Sequence, residues 1–368
     1  MPRTAVLFGG PSPEHDVSIL TGLTAARALA EAGREVEAIY WSKAGRFSAV
    51  DAALEASAFA DGVPRGARPL ALELGEGGGF VAEGKGLGRK RAVLDLEVVV
   101  NCCHGGPGED GTVQGALDIA GIRYTGPSVA GAALGMDKLA FAAVAQAAGL
   151  PHLPVAALDP DGPAPFDGPY IVKPRFGGSS IGIEVLADWA SVSAYARSPQ
   201  PHLRAGAVVE PYRAGAVDLE VAIRRHPALA LSPISKPASK GAIFDYREKY
   251  VPGEGMAAAP RETPADLPAP VTGAIRAAAE RVAVLAAVRG VARLDFLLLD
   301  GGEVVVNELN TIPGSLTKHL WVDPPVPFAT LLADMIAEAT TGPGRAYSTQ
   351  GADGSILRSA ASIASKLG

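Results

Sequence analysis

A short apolar run, Thr4–Phe8, closes on Gly9-Gly10, and a helical pattern then runs from about Val17 to Ala32 before a second apolar run, Val36–Tyr40. Strand, helix and strand in this order make a βαβ unit, whose two strands lie parallel in one sheet with the helix across a face. The opening therefore excludes an all-helical bundle and an all-antiparallel sandwich. A further strand, Leu96–Asn101, ends in the glycine-rich turn His104–Gly111. Such a turn at the carboxyl end of a strand is where open α/β sheets bind ligands.

The remaining pattern extends the α/β opening into a mixed α+β chain. Residues near 60–90 read as loops or short strands, and Thr112–Ala120 and Asp137–Ala148 as helices. Strands are expected at Leu153–Leu158, Tyr170–Pro174, Ile181–Val185, Ala207–Glu210 and Leu219–Ile223. After a helix over Ala269–Val288, strands Val291–Leu299 and Glu303–Glu308 flank Asp300-Gly301-Gly302, a hairpin signal. Phe328–Thr340 reads as a helix, with a short one near Ile356–Leu367. At 368 residues the chain is too long for one simple core. Divisions are expected at 1–125, 126–206 and 207–340, with a tail over 341–368.

Composition narrows the function classes. A net charge of −6 argues against a nucleic-acid partner, although it leaves local basic sites open. The two cysteines, Cys102 and Cys103, are adjacent and read as buried packing at a strand end rather than as a disulfide. Met1-Pro2-Arg3 leads straight into a strand, and no segment reads as a membrane span, so a cytoplasmic location is expected.

Five segments carry possible chemistry. On the last hairpin, alternation puts Arg293 and Asp295 on one face and Glu308 and Asn310 on the partner's. Pairing would converge two carboxylates and an amide oxygen, hard ligands that suit Mg²⁺, beside a guanidinium able to neutralise developing charge. The plain alternative is a solvated salt-bridge cluster; the turn Thr311-Ile312-Pro313-Gly314 favours function. Lys173, ahead of Phe176-Gly177-Gly178-Ser179-Ser180, can reach phosphate oxygens, or the loop is an ordinary hairpin turn. In Gly9–Ser18, Glu14 or Asp16 could bind a ligand ammonium, but helix capping by Ser12 or Asp16 is the simpler role. His104 reads as a hydrogen-bonded structural histidine. Asp245–Tyr250, on an irregular loop, reads as a lid or as solvated surface.

Together, in this order, these segments resemble the D-alanine–D-alanine ligase family from Ala5 to about Ala339. The resemblance implies a three-domain ATP-grasp fold with an N-terminal α/β domain, small amino-acid substrates, ATP, two Mg²⁺ ions (or Mn²⁺), and a homodimer. It implies that Glu14 holds the ammonium of the first amino acid and that Ser179 and Tyr250 join it in closing a lid. Lys138 and Lys173 would contact ATP phosphates and Lys249 the γ-phosphate. Glu210, with Tyr212 beside it, would stand on the adenine side and Asp218 at the ribose. Asp295, Glu308 and Asn310 would bind the metal ions, while Arg293 and the Gly314 N–H would face the reacting oxyanion. The implied activity joins a carboxylate to an amine through an acyl-phosphate.

The chain departs from that pattern in several places. Gly177 stands where an acidic residue is common, and Asp218 replaces a glutamate. After Gly314 the sequence Ser315-Leu316-Thr317-Lys318-His319-Leu320 either puts His319 where the family has a serine that grips the second substrate's carboxylate, or shortens that segment. Lys318 or His319 could instead bind an anionic group. The tail past Thr341 has no counterpart in the pattern. The competing expectations are an amino-acid ligase of specialised metabolism with another second substrate, and a non-catalytic nucleotide-binding regulator. A dinucleotide-dependent oxidoreductase is disfavoured, because the first turn is not GxGxxG and Tyr40-Trp41-Ser42 supplies no ribose acid.

Overall fold

The computed structural model describes residues 3–82, 92–238, 260–342, 344 and 347–359. Strands β1 (Arg3–Gly9), β2 (Val36–Trp41) and β7 (Leu96–Asn101) form the parallel end of a seven-stranded sheet, with helix α1 (His15–Glu31) as the first crossover. Beyond β2 the sheet continues antiparallel through β3 (Phe47–Val50), β4 (Arg68–Glu73), β5 (Gly79–Ala82) and β6 (Ala92–Val93). Ala5, Val6, Leu7 and Phe8 are wholly buried, as expected of a central strand covered on both faces. Cys102 and Cys103 are buried where β7 ends, and desolvation raises both thiols far from ionisation.

Helices α2 (Thr112–Ile119), α3 (Val129–Met136) and α4 (Lys138–Ala147) lead to a second, four-stranded sheet. It orders β10 (Glu184–Leu186), β9 (Tyr170–Pro174), β11 (Ala207–Pro211) and β8 (Ala156–Ala157), with α5 (Trp189–Arg197) packed against β9 and β10. Strand β11 pairs antiparallel with both β9 and β8, so this sheet continues past residue 206 to Pro211. The third sheet orders β13 (Ala230–Leu231), β12 (Val217–Arg224), β16 (Val291–Leu298) and β17 (Val304–Asn310). A short ladder joins β14 (Lys236–Pro237) to β15 (Arg261–Glu262). Helices α6 (Ala269–Leu285), α7 (Phe328–Thr341) and α8 (Ser355–Ser359) complete the described chain. Among the described residues no helix is long and apolar enough to cross a membrane.

Three expected elements change. No helix was expected over Val129–Met136, where alanine and glycine leave little amphipathic contrast; Ser128 caps it by accepting the Gly131 N–H. The strand expected at Ile181–Val185 begins only at Glu184, because Ser179, Ser180 and Gly182 have positive φ and keep the chain turning. Of the strand expected at Leu153–Leu158, only Ala156–Ala157 pairs.

The core crosses the sequence. Ile19, Leu23, Ala26 and Leu29 of α1 pack in one cluster with Ile312, Leu316 and Leu320, and with Leu331, Leu332, Met335 and Ile336 of α7. The N-terminal sheet is thus completed by residues near the other end of the chain. Arg123 reinforces this junction by donating to the carbonyls of Ala339 and Gly342 at the end of α7.

Gly22 lets α1 lie close against β1: a Cβ there would lie 2.3 Å from Phe8 Cβ. Gly22→Ala is expected to lower unfolding free energy by about 1–3 kcal/mol through overpacking. Gly273→Ala, on the exposed face of α6 with nothing within 4 Å, is expected to raise it by up to about 1 kcal/mol. Denaturant titration of both variants checks the contrast, and equal effects would count against this packing.

Candidate active site

The register of β16 and β17 places Arg293 opposite Asn310 and Asp295 opposite Glu308. Arg293 grips Asp295 with two bonds, Nε to Oδ1 at 2.6 Å and Nη2 to Oδ2 at 2.7 Å. Asn310 Nδ2 donates to the same Oδ2 at 3.0 Å. Burial pushes the Asp295 carboxyl up to about 6 against the pull of Arg293, with Glu308 and Glu220 adding to the rise. Glu308 faces a second cation, Lys138 Nζ, at 3.3 Å. Among the described residues no three His, Cys, Asp or Glu side chains are placed to hold a metal ion by themselves, so the oxygen-rich set here is two carboxylates and an amide.

The ladder slips after Asp295, where Phe296 pairs with Val306 and leaves Asn307 over. Such a bulge re-aims the extra residue. Asn307 Oδ1 accepts from Lys173 Nζ at 3.2 Å, and Lys173 also bonds Glu210 Oε2 at 2.7 Å. Lys173 and Glu210 are both buried, which makes their pairing costly to break unless another charge replaces one of them.

Lys138 opens α4 and also donates to Gly177 O at 2.6 Å. Asp137 holds this junction: it caps α4 through the Leu139 and Ala140 N–H groups and forms a two-pronged bond to Arg175 at 2.8 and 2.6 Å. The loop after β9 therefore starts from a fixed base. Its Ser179 hydroxyl donates to Glu14 Oε1. The helix cap expected of Asp16 is not made: α1 begins at His15, so Asp16 lies inside the first turn and pairs with Lys43 at 3.3 Å. Ser12 instead accepts the Glu14 N–H at 3.0 Å and donates to His104 O at 2.8 Å. Gly105 is required beside them, since a Cβ would lie 2.4 Å from Glu14 Oε2 and its φ is 64°.

The turn after β7 holds the main chain of Ile312 from both sides. Glu109 Oε1 accepts the Ile312 N–H at 2.7 Å, while Oε2 accepts the Gly105 N–H at 2.9 Å. His104 Nδ1 meets Ile312 O at 2.7 Å, which fixes the proton on Nδ1 because a carbonyl only accepts. His104 Nε2 then accepts from the Thr21 hydroxyl at 2.8 Å, and Thr21 Oγ1 accepts the Ser315 N–H at 3.3 Å. Burial lowers the pKa of His104, although Glu14 and the Ile312 carbonyl pull the other way. These bonds fix Pro313-Gly314 at the start of a tight turn, Gly314–Leu320.

Many of these groups open on one cavity of about 200 Å³. It is lined by Glu14, Lys138, Lys173 and Ser179 on one side and by Arg293, Asp295, Glu308, Asn310 and Gly314 on the other. Glu210, Tyr212 and Asp218 line it as well. Lys318 and His319 are absent from the lining; Lys318 Nζ stands 5.4 Å from the centre of the Phe328 ring. Lys249 and Tyr250 lie outside the described residues. Glu109, Asn307, Glu220 and Arg261 also line the cavity without having been expected to. Only Glu109 had a local signal, its place in the glycine-rich turn.

Burial, aided by Glu14, pushes the Glu109 carboxyl up to about 8 from an ordinary value of 4.5. A raised carboxyl contributes stability that is complete below its unfolded-state pKa and is lost as pH rises through the folded-state value. Glu109→Gln is therefore expected to flatten the loss of stability between about pH 5 and about pH 8, by on the order of a few kcal/mol. Unfolding titrations across that range check it; identical slopes in the two proteins would contradict it.

The family model described as "D-ala D-ala ligase N-terminus" matches residues 3–127, and "D-ala D-ala ligase C-terminus" matches residues 163–337. The chain is 34% identical over 362 residues to a D-alanine–D-alanine ligase from Mycobacterium ulcerans, covering 92% of this chain and 95% of that one. It is 32% identical over 355 residues to one from a Bradyrhizobium species, with the same coverage of each chain. Among solved structures, the D-alanine–D-alanine ligase from Coxiella burnetii has the same fold, with a TM-score of 0.74 at 24% identity, over 92% of this chain and 94% of that one. A D-Ala:D-Ser ligase from Enterococcus faecalis superposes with a TM-score of 0.72 at 22% identity, over 91% and 98%. The fold is accordingly the mixed α/β ATP-grasp architecture, and the chain belongs to the D-alanine–D-alanine ligase family.

Proposed function

We propose that this protein is an ATP- and Mg²⁺-dependent ligase that joins the carboxyl group of one D-alanine to the amine of a second amino acid through an acyl-phosphate. One observation carries this reading. The paired register of Arg293, Asp295, Glu308 and Asn310 faces Lys138, Lys173 and the Glu14–Ser179 contact across a single cavity. D-alanine as substrate rests on the names of the relatives.

Asp295, Glu308 and Asn310 suit the metal ions in donor type, since hard oxygen ligands are what Mg²⁺ selects. The elevated Asp295 carboxyl also fits, because a bound cation would relieve the cost of ionising it. When bound, the metal ions neutralise phosphate charge and polarise the transferring group. The remaining steps fall to the chain's own residues. Glu14 holds the donor's ammonium, and Ser179, bonded to Glu14, draws the loop after β9 over it. Lys138 and Lys173 exchange their carboxylate partners for phosphate oxygens; the family resemblance gives Lys249 the γ-phosphate and joins Tyr250 to Glu14 and Ser179. Glu210 and Tyr212 take the adenine side and Asp218 the ribose. The donor carboxylate attacks the γ-phosphate and displaces ADP, and the acceptor amine then attacks the acyl-phosphate carbonyl, losing a proton as phosphate leaves. Arg293 and the Gly314 N–H steady the oxyanion formed on the way. Catalysis is then positioning and electrostatics, with no covalent enzyme intermediate.

The three-part division read from the sequence suits this scheme, with the second and third sheets enclosing the nucleotide. Two buried, unpaired cysteines suit a reducing cytoplasm. Glu308→Gln is expected to lower ATP turnover by at least about 100-fold while the fold is kept, since a carboxylate metal ligand is lost. Phosphate release measured against Mg²⁺ concentration checks it; turnover with an unchanged Mg²⁺ dependence would refute the metal assignment.

A further inference from the structure

Beyond Arg293 the cavity carries a second guanidinium. Arg261 Nη1 donates to Glu220 Oε1 at 2.5 Å, and Arg293 Nε lies 3.3 Å from Glu220 Oε2. Glu220 thus bridges two arginines, and all three side chains are largely buried while lining the cavity. An arginine presents its donors as a planar fork that matches a carboxylate.

The sheet order shows on which side Arg261 stands. Glu220 on β12 pairs with Asp295 on β16, which pairs with Glu308 on β17. Lys138 grips the Glu308 end of this row, and Arg261 grips the Glu220 end. A reacting group at Arg293 whose phosphate lies toward Glu308 and Lys138 therefore turns its other side to Arg261. That side belongs to the attacking acceptor.

Ser235 Oγ, Thr263 Oγ1 and both ring nitrogens of His319 are buried polar atoms with no hydrogen-bond partner. Ser235 faces Glu220 across a bridge, and Thr263 stands two residues from Arg261. Buried polar groups are nearly always paired, so these atoms can take polar partners from outside the chain. Burial keeps the His319 ring neutral, helped by the charges of Arg261, Arg293 and Lys318, so it offers one N–H and one lone pair. Its backbone is fixed by a left-handed run with φ of 52°, 47° and 58° at Ser315, Leu316 and Thr317. L-residues adopt this conformation only when held. Here Leu316 and Leu320 are buried in the core, and Trp321 Nε1 donates to Thr317 Oγ1 at 3.1 Å.

We propose that Arg261, oriented by Glu220, is the acceptor subsite for a second carboxylate, so that the preferred acceptor is an acidic amino acid. This deepens the ligase reading and rests on Arg293 being the centre of acyl transfer. Binding and turnover are measured separately so that the two ideas can fail separately. The full chain, with Mg²⁺ and a non-hydrolysable ATP analogue, is titrated calorimetrically with D-aspartate, D-glutamate, D-alanine and D-lysine. The subsite predicts that one acidic amino acid binds at least about tenfold more tightly than D-alanine or D-lysine. Arg261→Gln should abolish that preference. So should the double variant Glu220→Gln/Arg261→Gln, which leaves no unpaired carboxylate if the single variant folds poorly. Equal binding of D-aspartate, D-glutamate and D-alanine, or a preference that survives in both variants, would overturn the subsite whether or not ATP is consumed. Product masses from D-alanine and ATP with each acceptor then judge the ligase reading. No ATP-dependent product despite intact acid binding would remove that reading and leave the subsite standing.

Discussion

Two hydrogen bonds to the main chain of Ile312 are the constraint on which the site depends. Glu109 takes its N–H and His104 approaches its carbonyl. Both come from the turn after β7, whereas Ile312 follows the strand that carries Glu308 and Asn310. A shift of either element would move Gly314 relative to Arg293. The neutral His104 makes the arrangement directional, because each donor from Ser315 through Thr21 to Ile312 has one possible acceptor. The shared core of α1, α7 and the Gly314–Leu320 turn backs these bonds with apolar packing. Preorganisation of this kind lets a site stabilise charge without reorganising during reaction.

The second organising feature is that four of the cavity's carboxylates already have a cation. Lys138 stands on Glu308, Arg293 on Asp295, Lys173 on Glu210, and Arg261 on Glu220. Burying any of these charges alone would be prohibitive, so the pairs allow a highly charged cavity to exist inside a folded chain. In the ligase reading two of the pairs are exchangeable: phosphate takes Lys138 and Lys173, while metal takes Glu308 and the adenine side takes Glu210. Arg293 and Arg261 share Glu220 and stay in place, which leaves one end of the cavity fixed while the other changes partners.

The parts of this site legible in the sequence were those set by local periodicity. Arg293 and Asp295 share a face because strand side chains alternate, and Asp300-Gly301-Gly302 told the chain where to turn. The bulge that follows Asp295 left no local mark, so Asn307 went unnoticed although it reaches Lys173. Glu220 reads as one more polar residue on a strand, and Arg261 as a loop charge. Their meaning arises only when β15 is placed beside β12, a contact between distant parts of the chain. The glycine-rich turn was visible as a turn, but not its grip on Ile312 some two hundred residues later. Helix α3 was missed because an alanine- and glycine-rich segment gives no amphipathic signal.

The central claim, that this cavity transfers a phosphoryl group to a carboxylate before an amine displaces it, is tested most directly by following oxygen. D-alanine labelled with ¹⁸O in its carboxyl group is incubated with the enzyme, ATP, Mg²⁺ and an acceptor, and the released phosphate is analysed by mass. An acyl-phosphate route leaves one carboxylate oxygen on phosphorus, so the inorganic phosphate carries a single ¹⁸O and ADP is the other product. Unlabelled phosphate, or label recovered in AMP, would contradict the account.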